Sequence, residues 1–264
     1  MPDPSAARGL HTTTYGEEGS RVAFCHGLFG QGRNWTQIAK TLADRHRVLL
    51  VDLPHHGRSA WSETFDYFDV ADQVAGLLAA DDPVALVGHS LGGKVAMLVA
   101  LRHPEVVERL CVVDVSPVTY EHHDEFRQYI AGMQALDLAS LERRGDADAA
   151  LTEAVPHPTV RSFLLQNLRH SDGEWSWQVN LDVIERDLAD IGGWPGDRLT
   201  DLAPYDGPVL WVAGERSHYV TDEYAGEMDR WFPRNRRVTV KGAGHWVHSE
   251  QPEVFTEVLR RFVD

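Results

Sequence analysis

The sequence predicts an α/β fold, in which a mostly parallel sheet carries helices on both faces and a helical cap is inserted into it. Short apolar runs that are typical of buried strands alternate with helix-like runs from residue 10 to residue 115. The alternation stops over residues 116–204 and resumes from residue 208 to residue 262. We therefore expect a core domain of residues 1–115 and 205–264, with a cap formed by residues 116–204.

The elements of the first half follow from residue periodicity. Strand-like runs lie at residues 10–15, 21–25, 47–52, 83–87 and 110–114. Runs with helical spacing occupy residues 34–43, 67–80 and 94–102. Asn34 is suited to cap the first of these helices. Because a helix connects successive strands, neighbouring strands should be parallel.

The cap and the remaining core show different patterns. Helix-like stretches at residues 124–136, 147–154, 159–168 and 181–190 are separated by glycine and proline, and no convincing strand is present. Trp175, Trp177 and Trp194 cluster late in the cap, where they would line an acyl pocket or simply pack the cap together. Beyond the cap, residues 208–213 and 237–241 predict strands, and residues 224–231 and 252–262 predict helices.

Composition restricts the partners of the chain. A net charge of −15 over 264 residues disfavours nucleic acid and anionic membranes. No apolar run has the length of a membrane span, and the first four residues do not resemble a signal peptide. Cys25 and Cys111 fall in predicted strands, where they could be neighbours, and buried thiols are expected rather than a disulfide. We expect a cytoplasmic protein that is a monomer or a small homo-oligomer.

The sequence GHSLGG at residues 88–93 is the most informative motif. G-x-S-x-G alone is weak evidence, but here a strand-like run precedes it and a helix-like run follows it, as in a nucleophile elbow. A serine hydroxyl is a weak nucleophile and needs a tight turn where a base can reach it. Gly88 and Gly92 would let strand and helix approach closely. We therefore predict that Ser90 is a nucleophile.

The base should also follow a strand, because sites in open α/β sheets form beyond the carboxyl ends of the strands. His245 does so, in KGAGHW at residues 241–246. A histidine can take the serine proton and return it to the leaving group. His248 and His218 compete, but neither follows a strand as directly.

HGLFG at residues 26–30 follows another predicted strand. Its glycines would let the backbone approach a substrate oxygen. The amides of Leu28 and Leu91 are the predicted donors to an oxyanion, with the amide of Phe29 as an alternative. His26 is expected to hold this loop, and His89 to form a wall of the site.

These motifs, in this order across the whole chain, resemble the α/β-hydrolase superfamily. The similarity is greatest to small serine esterases of the abhydrolase type. The segments KVAM at residues 94–97 and VVDVSP at residues 112–117 also resemble sequences of that subgroup. The resemblance implies a Ser–His–acid triad, no cofactor and acyl-ester chemistry.

The chain departs from the superfamily at the triad acid, which usually follows the strand after the cap. That turn reads GERSHYV, with Ser217 at the expected position. A serine hydroxyl can accept a hydrogen bond from the histidine but supplies no fixed charge. The resemblance favours a displaced acid at Asp114, although a strand-end aspartate can simply cap a turn. Glu215 and Asp222 are rivals, and Asp222 also fits a helix N-terminus.

The features together predict a serine hydrolase without cofactor or metal, which cleaves small-molecule acyl esters, and by extension thioesters, through an acyl-enzyme on Ser90. One alternative is a cofactor-free acyl transferase or perhydrolase of the haloperoxidase type. Another is a non-catalytic ligand-binding protein with a vestigial triad. The adjacent histidines at 55–56 and 122–123 could not share one helix face towards a metal.

Overall fold

The computed structural model describes residues 9–121 and 123–264. The first eight residues, including the segment compared with a signal peptide, and His122 of the second histidine pair lie outside the described residues. The described chain forms the following strands: β1 Thr12–Tyr15, β2 Ser20–Cys25, β3 His46–Val51, β4 Val84–His89, β5 Val107–Val113, β6 Leu168–Ser171, β7 Glu174–Trp177, β8 Val209–Gly214 and β9 Asn235–Val240.

The predicted parallel sheet is confirmed. Seven strands pair in the order β1-β3-β2-β4-β5-β8-β9, and all neighbours are parallel except β1, which runs antiparallel to β3 at one edge. The residues of β4 are buried throughout, as expected for a strand covered on both faces. Because β4 and β5 are central neighbours, their carboxyl ends meet at one edge of the sheet.

The helices are α1 Thr36–Leu42, α2 Tyr67–Ala75, α3 Leu91–Arg102, α4 Asp124–Gln134, α5 Arg144–Ala150, α6 Pro158–Leu165, α7 Leu181–Arg186, α8 Leu188–Gly192, α9 Ala225–Trp231, α10 Val247–Glu250 and α11 Pro252–Val263. Ile38 of α1 and Phe255 of α11 share one apolar core with the sheet, and Val74 of α2 and Met97 of α3 share another. The sheet thus buries an apolar surface on each face. Within the described residues, no helix has the length and apolarity needed to cross a membrane.

Residues 116–204, which lie between β5 and β8, contain α4 to α8 and also a hairpin that the sequence did not predict. Strands β6 and β7 pair antiparallel, with Leu168 opposite Trp177. Asp172 and Gly173 connect them with φ values of 56° and 86°, the left-handed conformation of a tight hairpin turn. The expectation of a cap without strands is therefore wrong, and the helix predicted to reach residue 168 ends at Leu165.

Several smaller expectations also need correction. The helix predicted over 67–80 ends at Ala75, directly before Gly76. Asn34 does not cap α1, which begins at Thr36, because its side chain instead accepts a hydrogen bond from the Gln31 amide. The two cysteines are buried and free, but they are not neighbours, since β4 separates β2 from β5.

Candidate active site

Ser90 stands at a sharp turn between a strand and a helix. β4 ends at His89 and α3 begins at Leu91, so Ser90 alone makes the turn, with φ 52° and ψ −118°. Its amide donates to the Val113 carbonyl of β5 at 3.0 Å, which holds the strained conformation. A Cβ atom on Gly88 would lie 2.1 Å from the Gly92 carbonyl oxygen, so only glycine allows this approach of strand and helix.

Asp114 occupies the matching position beyond β5 and is fully buried, with φ 52°. Its Oδ1 accepts a hydrogen bond from the Gly214 amide at 3.0 Å. Its Oδ2 accepts from the His245 Nδ1 at 2.8 Å and from the Ser217 hydroxyl. A histidine that donates from Nδ1 to a carboxylate has the lone pair of Nε2 available to accept a proton.

The rival carboxylates lie elsewhere. Glu215 Oε2 accepts from the Gly242 amide at 2.9 Å. The exposed Asp222 forms an ion pair with Arg237 at 2.9 Å. Of the three candidate acids, Asp114 is the one hydrogen-bonded to His245. Ser217 contacts that acid rather than the histidine.

Neighbouring rings and a backbone contact position His245. The Tyr219 ring lies 4.4 Å from the imidazole, centroid to centroid. His89 Nε2 donates to the His245 carbonyl at 2.9 Å. Burial holds the pKa of His89 well below its usual value and lowers that of His248 to about 3, so both stay neutral. His248 stacks on Trp35 at 4.2 Å, and the competitor His218 is exposed.

Two neutral histidines fix the loop that carries the predicted oxyanion donors. His26 Nδ1 donates to the Gly27 carbonyl at 2.8 Å, while its Nε2 accepts from the Leu53 amide at 2.9 Å. His56 Nε2 accepts from the Phe29 amide at 3.2 Å. Burial lowers the pKa of His26 to about 4 and that of His56 to about 3, so both can act as acceptors at neutral pH.

These bonds bear on the choice of oxyanion donor. Because the Phe29 amide already donates to His56, the structure disfavours Phe29 as the alternative donor. Within the described residues, the amides of Leu28 and Leu91 make no hydrogen bond to another protein group. Asn167, also missed in the sequence, donates from Nδ2 to the Phe29 carbonyl at 2.7 Å. Its distance along the chain left no local signal for this contact.

An apolar cavity adjoins these groups. Its lining includes Ser90, His245 and, from residues 116–204, the side chains of Phe126, Tyr129, Val160, Phe163 and Leu164. The rest of the lining comes from Leu28, Phe29, His89 and Trp246. Trp175, Trp177 and Trp194 are not among the described residues that line it, so the acyl-pocket interpretation of that tryptophan cluster is not supported.

A buried lysine ties α3 to the end of α8. Lys94 of α3 donates from Nζ to the carbonyls of Gly192 and Gly193, at 2.6 Å and 2.7 Å. Its ammonium also lies 4.8 Å from the centre of the Tyr120 ring. Burial lowers the pKa of Lys94 to about 7. The end of α8 is thereby held against the helix that begins after Ser90.

This sheet and this strand–serine–helix turn define the class of protein. The chain belongs to the α/β-hydrolase fold family, which matches residues 21–252. It is 40% identical over 250 residues to the sn-1-specific diacylglycerol lipase ABHD11 of Mus musculus, covering 92% of this chain and 80% of the relative. Esterase YbfF of Escherichia coli (strain K12) is 30% identical over 249 residues, which is 93% of each chain. A solved marine microorganism esterase has a TM-score of 0.91 at 31% identity, covering 96% of this chain and 99% of that one.

Proposed function

We propose that the chain is a carboxylesterase-type serine hydrolase whose substrates are small-molecule acyl esters. The observation that carries this proposal is the buried Asp114 carboxylate bonded to His245, beside a cavity that both His245 and Ser90 line. The esterase and lipase names of the relatives support an ester bond as the target.

In the proposed mechanism, Ser90 attacks the acyl carbonyl while Nε2 of His245 takes its proton. Asp114 keeps the imidazole in the required tautomer and stabilises its cation. The amides of Leu28 and Leu91 stabilise the oxyanion, and His245 then protonates the leaving alcohol. Water, activated by the same histidine, releases the acid from the acyl-enzyme. Thioesters would react in the same way, since only the leaving atom differs.

We further propose that residues 116–204 act as a cap that sets acyl preference. The support is the apolar wall that α4 and α6 contribute to the cavity, through Phe126 and Tyr129 of α4 and Val160 of α6 among others. An acyl chain lying there would be removed from water.

The free buried cysteines fit a reducing compartment, and we propose a cytoplasmic protein that works as a monomer or small homo-oligomer. Burial raises the pKa of the Cys25 thiol to about 12, so this thiol is not a rival nucleophile at neutral pH.

Ser90→Ala tests the proposal. We expect kcat for an activated ester to fall by about 10⁶, and stoichiometric labelling by an organophosphonate to disappear. The matched control is Ser249→Ala, an exposed serine on α10, which should keep both. Substantial activity in a folded Ser90→Ala protein, or a label mapped to another residue, would remove the nucleophile assignment. Product analysis with added alcohol separates hydrolysis from acyl transfer.

A further inference from the structure

A second cavity, of about 470 Å³, lies between the β1 edge of the core and the β6–β7 hairpin. It shares no lining residue with the cavity at Ser90. Its walls carry four arginines that are distant in sequence, namely Arg33, Arg58, Arg144 and Arg169. The fold therefore gathers four guanidinium groups around one open space.

This concentration of positive charge is unusual on a chain with 40 acidic and 25 basic residues. Several exposed arginines elsewhere have carboxylate partners, such as Arg186 with Asp187 at 2.7 Å. Among the described residues, none of the four cavity arginines forms an ion pair with a carboxylate, although acidic side chains predominate. An unneutralised cluster of this kind attracts anions.

One carboxylate, that of Asp52, is present among the described residues that line the cavity. It is nearly buried, and both of its oxygens accept hydrogen bonds from backbone amides. Its Oδ1 accepts from the Gly32 amide at 2.7 Å and its Oδ2 from the Arg58 amide at 3.0 Å. Burial, with the charges of Arg144 and Arg58, holds the pKa of Arg33 below its usual value, even though Asp52 opposes this effect. At Arg33, the repulsion from Arg144 therefore exceeds the attraction of Asp52.

Two of the arginines are held by hydrogen bonds to backbone carbonyls, and the other two have guanidinium groups that are available to a ligand. Arg33 donates to the Gln166 carbonyl, and Arg144 donates to the carbonyls of Leu165 and Leu168. Within the described residues, the guanidinium groups of Arg58 and Arg169 make no hydrogen bond to protein. They are exposed and can turn towards a ligand.

We propose that this cavity binds a small soluble organic diphosphate. Guanidinium groups bond phosphate oxygens in a bidentate manner, and four of them match the several charges of a diphosphate. The half-buried Trp175 also lines the cavity, with its ring 4.7 Å from that of His170 and 5.9 Å from the Arg144 guanidinium, and gives the organic part an aromatic contact. A phosphate on a lipid headgroup has the same chemistry, but the net charge of −15 opposes approach to an anionic bilayer. The proposal does not depend on the esterase activity.

Inorganic pyrophosphate is the test ligand, titrated by isothermal calorimetry. We expect the wild-type protein to bind it and Arg58→Ala to weaken binding about tenfold or more, since one charge-assisted contact is lost. Arg58→Ala combined with Arg169→Ala should abolish binding. The control combines Arg127→Ala with Arg236→Ala, which removes the same charge from exposed arginines outside the cavity. Both this control and the Ser90→Ala variant should bind pyrophosphate with the affinity of the wild-type protein.

Absence of binding at millimolar pyrophosphate would overturn the proposal. So would equal weakening in the control, because net charge alone would then explain the result. Flotation with phosphatidic acid vesicles tests the lipid source. Vesicle binding that the cavity variants abolish, without binding of pyrophosphate, would overturn a soluble ligand. Circular dichroism of the exposed-arginine variants verifies that each is folded.

Discussion

Replacing Asp114 by asparagine tests the charge that the proposed mechanism places behind His245. The carboxylate accepts from the Gly214 amide on Oδ1, and from His245 and Ser217 on Oδ2. An asparagine that kept the bond from Gly214 would turn its NH₂ group towards His245. The imidazole would then have to accept at Nδ1 and carry its proton on Nε2, where the base needs a lone pair.

We expect Asp114→Asn to lower kcat by about 10⁴, which corresponds to about 5.5 kcal/mol of activation free energy. The assay is hydrolysis of p-nitrophenyl acetate at saturating concentration, with thermal unfolding measured on the same preparation. A loss of less than about tenfold in a folded variant would refute the reasoning, because Asp114 is the candidate carboxylate bonded to His245.

Two sets of variants sharpen this test. Glu215→Gln and Asp222→Asn should change kcat little, since these groups contact Gly242 and Arg237 rather than His245. Adding Ser217→Asp to Asp114→Asn should recover part of the loss. In the wild type, Ser217 and His245 bond the same oxygen of Asp114, so a carboxylate at position 217 would lie close to the imidazole. Ser217→Asn in that background is the matched control and should recover nothing, since an amide brings no charge. Recovery is expected to be partial because the surroundings are not shaped for a carboxylate there.

Other expectations follow from the same structure. Burial lowers the pKa of His26 to about 4, so between about pH 6.5 and 4 the unfolded state binds more protons than the folded state. The unfolding free energy should therefore fall as the pH is lowered through this window, by about 3 kcal/mol from this residue. Urea titrations at several pH values that show no such fall would contradict this expectation. Val160→Phe should shift the ratio of kcat/KM for octanoyl and acetyl esters towards acetyl by about tenfold, whereas Trp194→Ala, outside the cavity, should leave it unchanged. Lys94→Met should speed hydrogen–deuterium exchange in residues 188–196 without changing exchange in the sheet, and a uniform change would contradict the local tie.

Much of the fold was predictable because its sheet strands are short apolar runs separated by periodic helices. The missed hairpin shows the limit of this method. Its strands have four residues each and are largely exposed, so no apolar run marks them, and the alternation of β7 is too short to stand out. The Asp172-Gly173 dipeptide is the signal that could have revealed it, since this pair favours the φ values of a two-residue hairpin turn.

The candidate site divides in the same way. Ser90 and His245 could be proposed from sequence because each follows a strand, and strand ends of a parallel sheet meet. Asp114 follows a strand too, but the family resemblance favoured it over Glu215. The contact of Ser217 with Asp114 depends on β5 and β8 being neighbours, although residues 116–204 separate them in sequence. The bond from the Phe29 amide to His56 likewise joins loops after different strands. Such contacts follow from strand order, which periodicity does not contain.

The register of β4 against β5 has a consequence for how such chains diverge. His89 pairs with Val113, so Ser90 and Asp114 are each the first residue beyond adjoining strands. Ser217 follows β8, the next strand, and reaches the same carboxylate. On the proposed mechanism, a lineage could transfer its acid from one loop to the other through an ancestor that carried both, with a negative charge present in every generation. The location of the acid would then record descent and not the choice of substrate.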